Sequence, residues 1–203
     1  ADLFGWQDRP LEPRSMRQGR LLKGWGMGTA QFPCPMFQAV AHATLRADGS
    51  AVVETSAADM GQGAWTALAQ IAADGLGIDV DRLEFRSGSS DLPDAGVAGG
   101  SGHTATAGTA LFNAGADTVR QLAYLATNDP ASPLFGAGNA GVTARGGRLY
   151  RNDDDRSEGY EDILGRAGLD LLRGTGTGKR EGDPQRAMFS HGGVFAEVLV
   201  DPD

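Results

Sequence analysis

The chain has 203 residues, 26 acidic against 18 basic side chains, 31 glycines and one cysteine. That length suits one domain or two small ones with a buried core, and the net charge of −8 argues against a general nucleic-acid binder, which needs a basic face. The lone Cys34 excludes an intrachain disulfide framework and a cysteine-rich zinc site, and no apolar run approaches the roughly 20 residues of a membrane-spanning helix. The first residue is Ala1 rather than Met, and no signal-peptide pattern is visible; a removed targeting segment stays open. Glycine stands at about twice its ordinary share of about 7% without a collagen-like period, so its use lies in tight turns or in backbone that approaches a ligand.

Residues 1–23 carry two prolines, several arginines and scattered Leu3, Phe4 and Trp6 with no clear period, and predict an extended lead-in. Gly24-Trp25-Gly26-Met27-Gly28 lacks a strand–helix context and reads as close strand packing. Gln38 to Leu45 predicts a strand, Asp48-Gly49 a hairpin turn, and Ala51 to Ser56 the returning strand. After Ala58-Asp59-Met60-Gly61-Gln62-Gly63, the residues Trp65, Leu68, Ala69, Ala72 and Leu76 fall at helical spacing, with Gly75 or Gly77 to end the helix. Leu83 and Phe85 mark a strand over Arg82 to Ser87, followed by a Gly/Ser/Asp loop from Gly88 to Gly102. A second helix carries Leu111, Ala114, Thr118, Leu122 and Leu125 and ends near Asn128-Asp129-Pro130. Val142 to Arg151 predicts a hairpin about Gly146-Gly147, and Tyr160, Ile163, Leu164 and Ala167 a short third helix closed by Gly168. Gly174 to Pro184 reads as a loop. Val194 to Val200 is a strong strand pattern that runs into the turn chemistry of Asp201-Pro202-Asp203; no partner strand follows, which predicts a piece of a longer protein. The order is an α+β pattern: a β-hairpin and mixed sheet with two main helices. A break near residues 128–141 is conceivable, but 24–203 reads as one domain.

Two glycine-rich turns stand directly before helices. At Gly61-Gln62-Gly63 the backbone can pass close to a ligand, the N–H groups of the helix start face anions, and the Gln62 amide can donate and accept; the same residues also read as an ordinary helix start capped by Asp59. At Gly99-Gly100-Ser101-Gly102-His103-Thr104, three glycines and two hydroxyls open a long helix as a phosphate or pyrophosphate cradle; a flexible loop with Ser101 or Thr104 as cap is the alternative. Gly174 to Lys179 is no Walker loop, because Arg173 stands where the first glycine belongs and Arg180 where Ser or Thr must follow the lysine. His42, His103 and His191 match no metal spacing. Cys34, between two prolines, reads as an inert thiol, and Asp153-Asp154-Asp155 as a solvated turn without the pattern of a calcium loop.

Taken together, Met60-Gly61-Gln62-Gly63 and, about 40 residues on, Gly99-Gly100-Ser101 with Gly108 and Ala110 in the following helix resemble the molybdopterin-binding large subunit of the xanthine dehydrogenase / aldehyde oxidase family. Phe4-Gly5-Trp6, Gly24-Trp25-Gly26-Met27, and the closing Gly192-Gly193-Val194-Phe195-Ala196-Glu197-Val198 resemble its bacterial aldehyde-oxidoreductase-like branch. The resemblance implies a parent enzyme that hydroxylates an aldehyde or N-heterocycle with oxygen from water. Its molybdenum is held by a pterin dithiolene, with cytosine the common appended nucleotide among bacterial relatives, and its electrons leave through iron–sulfur and FAD subunits or domains. It also implies that Met60, Gly61, Gln62 and Gly63 face the pterin, and that Gly99, Gly100, Ser101, Gly102, His103 and Thr104 face the pterin and its phosphates. Related sequences often carry a small hydroxylated residue where His103 stands.

No protein metal ligand and no catalytic residue is expected in this chain, because the family's glutamate base lies in a segment it lacks; Glu54 and Glu197 sit in a hairpin and a strand. The expectation is therefore a cofactor-binding piece that is inactive alone and binds no cofactor by itself, with the remainder of the subunit as its first partner, and with no nucleic-acid or membrane partner. A split subunit active with partner chains, and a stand-alone anion-binding or protein-interaction domain without redox activity, are the other readings. The cytoplasm is the expected compartment, with the periplasm also found among relatives.

Overall fold

The computed structural model describes residues 1–33, 35–179 and 188–203. In chain order the strands and helices are β1 (Arg17–Gln18), β2 (Leu21–Pro33), β3 (Ala39–Arg46), β4 (Ala51–Glu54), α1 (Ala64–Leu76), β5 (Leu83–Arg86), α2 (His103–Asn128), β6 (Val142–Arg145), β7 (Arg148–Arg151), β8 (Ser157–Gly159), α3 (Tyr160–Ala167), β9 (Leu171–Gly178) and β10 (Phe189–Val200). The expected α+β class is borne out. Contacts divide the chain into two units, residues 1–34 with 183–203, and residues 35–182.

The first unit is a three-stranded antiparallel sheet in the order β1-β2-β10. The pairing of β10 with β2 runs from Phe189 opposite Pro33 to Val200 opposite Leu22, so Gly24 to Gly28 lie in a long strand; the close packing expected there is not seen among the described residues, since a Cβ at Gly26 or Gly28 would meet nothing within 4 Å and one at Gly24 only the Val198 carbonyl at 4.0 Å. Within the expected extended lead-in, residues Asp2–Phe4 and Trp6–Asp8 form two 3-10 turns, and residues 21–23 already belong to β2. Aromatic packing accounts for the order at the chain start. Phe4 lies 4.9 Å from Trp25 and 5.4 Å from Phe195, and Trp6 lies 5.5 Å from Phe195, ring centre to ring centre, within the range in which aromatic pairs attract. Trp25 donates its indole N–H to Glu197 at 2.6 Å, and Lys23 pairs with the same carboxylate at 3.1 Å.

The second unit is built on a mixed sheet in the order β5-β4-β3-β9. Its core face follows from strict alternation in β3, where Ala39, Ala41, Ala43 and Leu45 are buried and their neighbours are not, the period a half-buried strand requires. Asp48 accepts from the Ser50 N–H and hydroxyl, and Gly49 takes φ +74°, which closes the predicted β3–β4 turn. Strands β4 and β5 are parallel, Ala51 opposite Leu83 through Glu54 opposite Arg86, with α1 as the crossover. Helix α1 buries Leu68, Ala72 and Leu76 and ends at Gly77 (φ +64°), the residue best suited to a left-handed cap. Trp65, placed on the buried stripe by its spacing, is instead half-exposed and donates its indole N–H to the Ala57 carbonyl at 2.9 Å.

Strand β9 corrects the expectation of a loop from Gly174 to Pro184. Gly174 to Gly178 complete a strand that pairs antiparallel with β3 over Ala39 to Arg46; residues 180–184 of the expected loop, and Cys34, lie outside the described residues. The reason is the partner. A Cβ at Gly174, Gly176 or Gly178 would stand less than 3.0 Å from backbone atoms of α2 at Thr106, Ala110, Ala114 or Thr118, so the glycines exist to let the helix backbone lie directly on the strand. Helix α1 approaches α2 in the same way, at Gly75 and Gly115. The remaining elements form a small sheet, β6-β7-β8, with α3. Buried Tyr160 donates its hydroxyl to the Leu76 carbonyl at 2.7 Å, and burial holds that phenol above its ordinary pKa. Buried Glu158 is paired with Arg166 and accepts from the Ser132 hydroxyl at 2.6 Å. Asp153 and Asp154 pair with Arg151 and Arg156 in the exposed turn.

Gly176→Ala is expected to cost about 3 kcal/mol through overpacking against α2, read as a lowered urea midpoint with an unchanged slope. A substitution that leaves the midpoint in place would show that α2 does not lie on β9.

Candidate functional site

Both glycine-rich turns leave from the carboxyl ends of the parallel pair. Residues 55–63 carry the chain from β4 into α1, and residues 87–102 carry it from β5 into α2. Because β4 and β5 point the same way, the two connections open on the same side of the sheet, the usual place for a ligand crevice in such sheets. Local hydrogen bonds stitch the two together. Ser56 donates its N–H to the Pro93 carbonyl at 2.7 Å, the Thr55 N–H reaches the Arg86 carbonyl at 3.3 Å, and Ser87 gives its hydroxyl to the Thr55 and Ala57 carbonyls at 2.7 and 2.6 Å. The Ser56 hydroxyl accepts from the Ala95 N–H at 3.2 Å. Gly102 must lack a side chain, since a Cβ there would stand 2.5 Å from the Pro35 carbonyl oxygen.

The result is a cleft of about 620 Å³ lined by Met60, Gln62, Ala98, Gly99, Ser101, His103 and Thr104. Six of the ten residues singled out from the sequence line it; Ala98 was not among them, and nothing in its pattern marks it. Gly61, Gly63 and Gly100 shape the turns, with φ of +99°, +72° and +58°, and Gly102 is buried beneath. Ser101 also takes a positive φ, +57°, an uncommon conformation for a residue with a Cβ.

The two helix starts differ in electrostatics. At α1, Asp59 accepts from the Gly61 N–H at 2.8 Å and from the Trp65 N–H at 3.2 Å. Those backbone donors hold the Asp59 carboxyl below its ordinary pKa, so the positive end of α1 is already met by a charge from its own loop. This agrees with the reading of the turn as a helix start capped by Asp59. Gln62 is likewise engaged: its side-chain carbonyl accepts from the Met60 N–H at 2.7 Å and its amide donates to the Ala58 carbonyl at 3.3 Å, which leaves one acceptor lone pair and one N–H to spare. At α2 the start is open. Among the described residues no side chain caps it, and its first turn holds no acid, so the first N–H groups of a 26-residue helix have no partner within the helix and carry its positive partial charge. His103 is 7% exposed, and neither ring nitrogen has a hydrogen-bond partner among the described residues. Among the described residues no lysine or arginine lines the cleft; attraction for an anion there comes from backbone N–H groups, hydroxyls and the imidazole. Those donors fit an anionic group, while the Met60–Gln62 rim offers an apolar side chain and an amide to an uncharged heterocycle.

The other histidines lie elsewhere. His42 Nδ1 is 3.0 Å from the Thr175 hydroxyl, its pKa lowered by burial and then by Arg173, and His191 is on β10 beside Phe189. Among the described residues no three His, Cys, Asp or Glu side chains converge in a metal-holding group, and no helix is long and apolar enough to cross a membrane.

The profile of the family described as "Molybdopterin cofactor-binding domain" matches residues 1–203. The chain belongs to this family. The resemblance drawn from the two turns is thereby borne out. This molybdopterin cofactor-binding domain is 29% identical over 150 residues to the aldehyde oxidoreductase molybdenum-binding subunit PaoC of Escherichia coli strain K12; the match covers 74% of this chain and 20% of that protein. In fold it is similar to quinoline 2-oxidoreductase from Pseudomonas putida 86, with a TM-score of 0.71 at 22% identity over 98% of this chain and 27% of the other. It is also similar in fold to reconstituted CO dehydrogenase from Oligotropha carboxidovorans, with a TM-score of 0.68 at 19% identity over 90% and 24%. The molybdopterin cofactor-binding domain thus spans about a fifth of the curated relative's length.

Asp59→Asn is expected to destabilise the protein at neutral pH and to match wild type in strong acid. The folded carboxyl lies below its ordinary value of 3.8, so its contribution is present above that value and lost as the pH falls through the lower folded one. Urea midpoints taken from pH 7 down to pH 2 check this; parallel curves for the two proteins would contradict it.

Proposed function

We propose that this chain supplies part of the cofactor site of a molybdenum hydroxylase that oxidises aldehydes or N-heterocycles. The observation that carries the reading is the cleft in which the Gly-Gln-Gly turn and the open start of α2 meet. Family membership and the similarity to an aldehyde oxidoreductase molybdenum-binding subunit support it. When bound, the molybdenum cofactor supplies a two-electron oxidation in which R–H and water give R–OH, two protons and two electrons.

The chain's own residues bind and orient. Ser101, Gly102, His103 and Thr104 would receive the phosphates through backbone N–H groups and side-chain donors. Met60 and the spare hydrogen-bonding capacity of Gln62 would face the pterin, and the backbone at Gly61, Gly63, Gly99 and Gly100 lets the ligand approach closely. None of these groups is a base placed for the hydroxylation, so the acid–base work belongs to the remainder of the subunit, and the electrons to iron–sulfur and FAD subunits or domains. The pterin carries a cytosine nucleotide, and the assembly works in the cytoplasm.

The protein purified with its natural neighbours from a host that makes molybdopterin is expected to carry about one molybdenum and one pterin per chain. Metal mass spectrometry and the fluorescence of the oxidised pterin read both, and released cytidine monophosphate reports the nucleotide. Protein free of both groups would make the chain an anion-binding or interaction domain without redox activity.

A further inference from the structure

We propose that a cavity between the second half of α2 and the start of β9 binds an aromatic carboxylate, with the ring on a leucine floor beside Tyr124 and the carboxylate on Arg120. This site goes beyond the reading above: it shares no lining residue with the cofactor cleft.

The cavity opens where the glycine stripe of β9 ends. Gly174, Gly176 and Gly178 let α2 rest on the strand, whereas Leu172, the inward position before them, carries a half-buried side chain. A helix that sinks onto glycines stands off from a leucine, and the space left there is about 370 Å³, inside the roughly 300–1,000 Å³ range of small-molecule sites. Leu125, Leu169 and Leu172 form its floor and pack against the core behind it. Tyr124 is one wall, 61% exposed, and offers its ring to a flat apolar ligand. The rim is Arg120, Gln121 and Asn139. The Gln121 amide spends its N–H groups on Asp117 at 3.0 Å and on the Arg173 carbonyl at 3.1 Å. Asn139 gives one N–H to the Arg120 carbonyl at 3.2 Å and keeps the other. Arg120 pairs with Asp117, but that carboxylate also accepts from Gln121 and from the Thr175 N–H at 3.1 Å. A guanidinium has five N–H groups, so donors remain for a second carboxylate. Among the described residues no acid lines the cavity, and Arg120 precedes the last turn of α2, where the helix's negative partial charge is felt. An apolar floor under a rim of spare donors selects a flat apolar body with an anionic end.

The test uses the protein purified with its natural neighbours and titrated calorimetrically with 2-naphthoate, with 2-naphthalenemethanol as the uncharged counterpart. Wild type is expected to bind the carboxylate about tenfold more tightly than the alcohol, the size of one charge-assisted hydrogen-bonded pair. Arg120→Met keeps the apolar stem and should erase that difference, while Tyr124→Ala should weaken both ligands about fivefold. Both side chains are largely exposed, so the unfolding temperatures of the variants should stay within about 2 °C of wild type. Wild type that binds neither ligand, the outcome if another segment of the subunit fills the cavity, overturns the proposal. Naphthoate binding that neither substitution alters is binding at another place and overturns it too. Arg120→Met should retain the wild-type pterin content; a loss would make Arg120 a support of the cofactor cleft and overturn the proposal. Arg120-dependent naphthoate binding in a protein that never carries pterin sinks the proposed function and leaves this inference standing.

Discussion

A helix backbone resting on a strand with no side chain between them is the constraint from which the second unit follows. Gly174, Gly176 and Gly178 leave three successive inward positions of β9 without a Cβ, and β3 beside it offers only Ala39, Ala41, Ala43 and Leu45. Helix α2 therefore sinks onto the sheet, and α1 sinks onto α2 at Gly75 and Gly115. Packing of this closeness tolerates little adjustment, so α2 is a rigid rod of about 39 Å. One end of that rod is the cleft. Positioning of the site thus depends on glycines outside its lining.

The cleft joins two helix starts that look alike in sequence and differ in charge. Asp59 folds back on the first and meets its N–H groups; no side chain among the described residues caps the second. A ligand with an anionic end and an uncharged, hydrogen-bonding end is therefore drawn in one orientation, since Asp59 repels the charge that α2 attracts. This polarity arises without a basic side chain in the lining among the described residues, so the net charge of −8 does not set the local field at the start of α2.

Elements whose residues alternate or repeat by themselves were legible in the sequence. Strand β3 alternates strictly, α2 carries its Leu111–Ala114–Thr118–Leu122 stripe, and Gly77 and Gly168 cap helices as their positions suggest. Strand β9 was not legible, because Gly174-Thr175-Gly176-Thr177-Gly178 has the composition of a loop and becomes a strand only against α2. Trp65 kept the helical spacing yet turned outward, because its indole has a carbonyl to reach at Ala57. At the site, the two turns and the family they point to were readable from residues. Their meeting in one cleft was not, since it depends on the parallel register of β4 and β5. Nor was the internal use of the Gln62 amide, which depends on a fold-back of a few residues.

The pairing of β3 with β9 also has a kinetic meaning. Arg46 lies opposite Leu171 and Ala39 opposite Gly178, so this ladder joins segments more than a hundred residues apart, and contacts of such separation form slowly. The hairpin, α1 and β5 are local to one another and need none of it. During synthesis, which proceeds from the N-terminus, the Gly-Gln-Gly side of the cleft can take shape while α2 still lacks β9 to lie on. The two walls of the cleft therefore mature in sequence, and the wall formed by the start of α2 comes last.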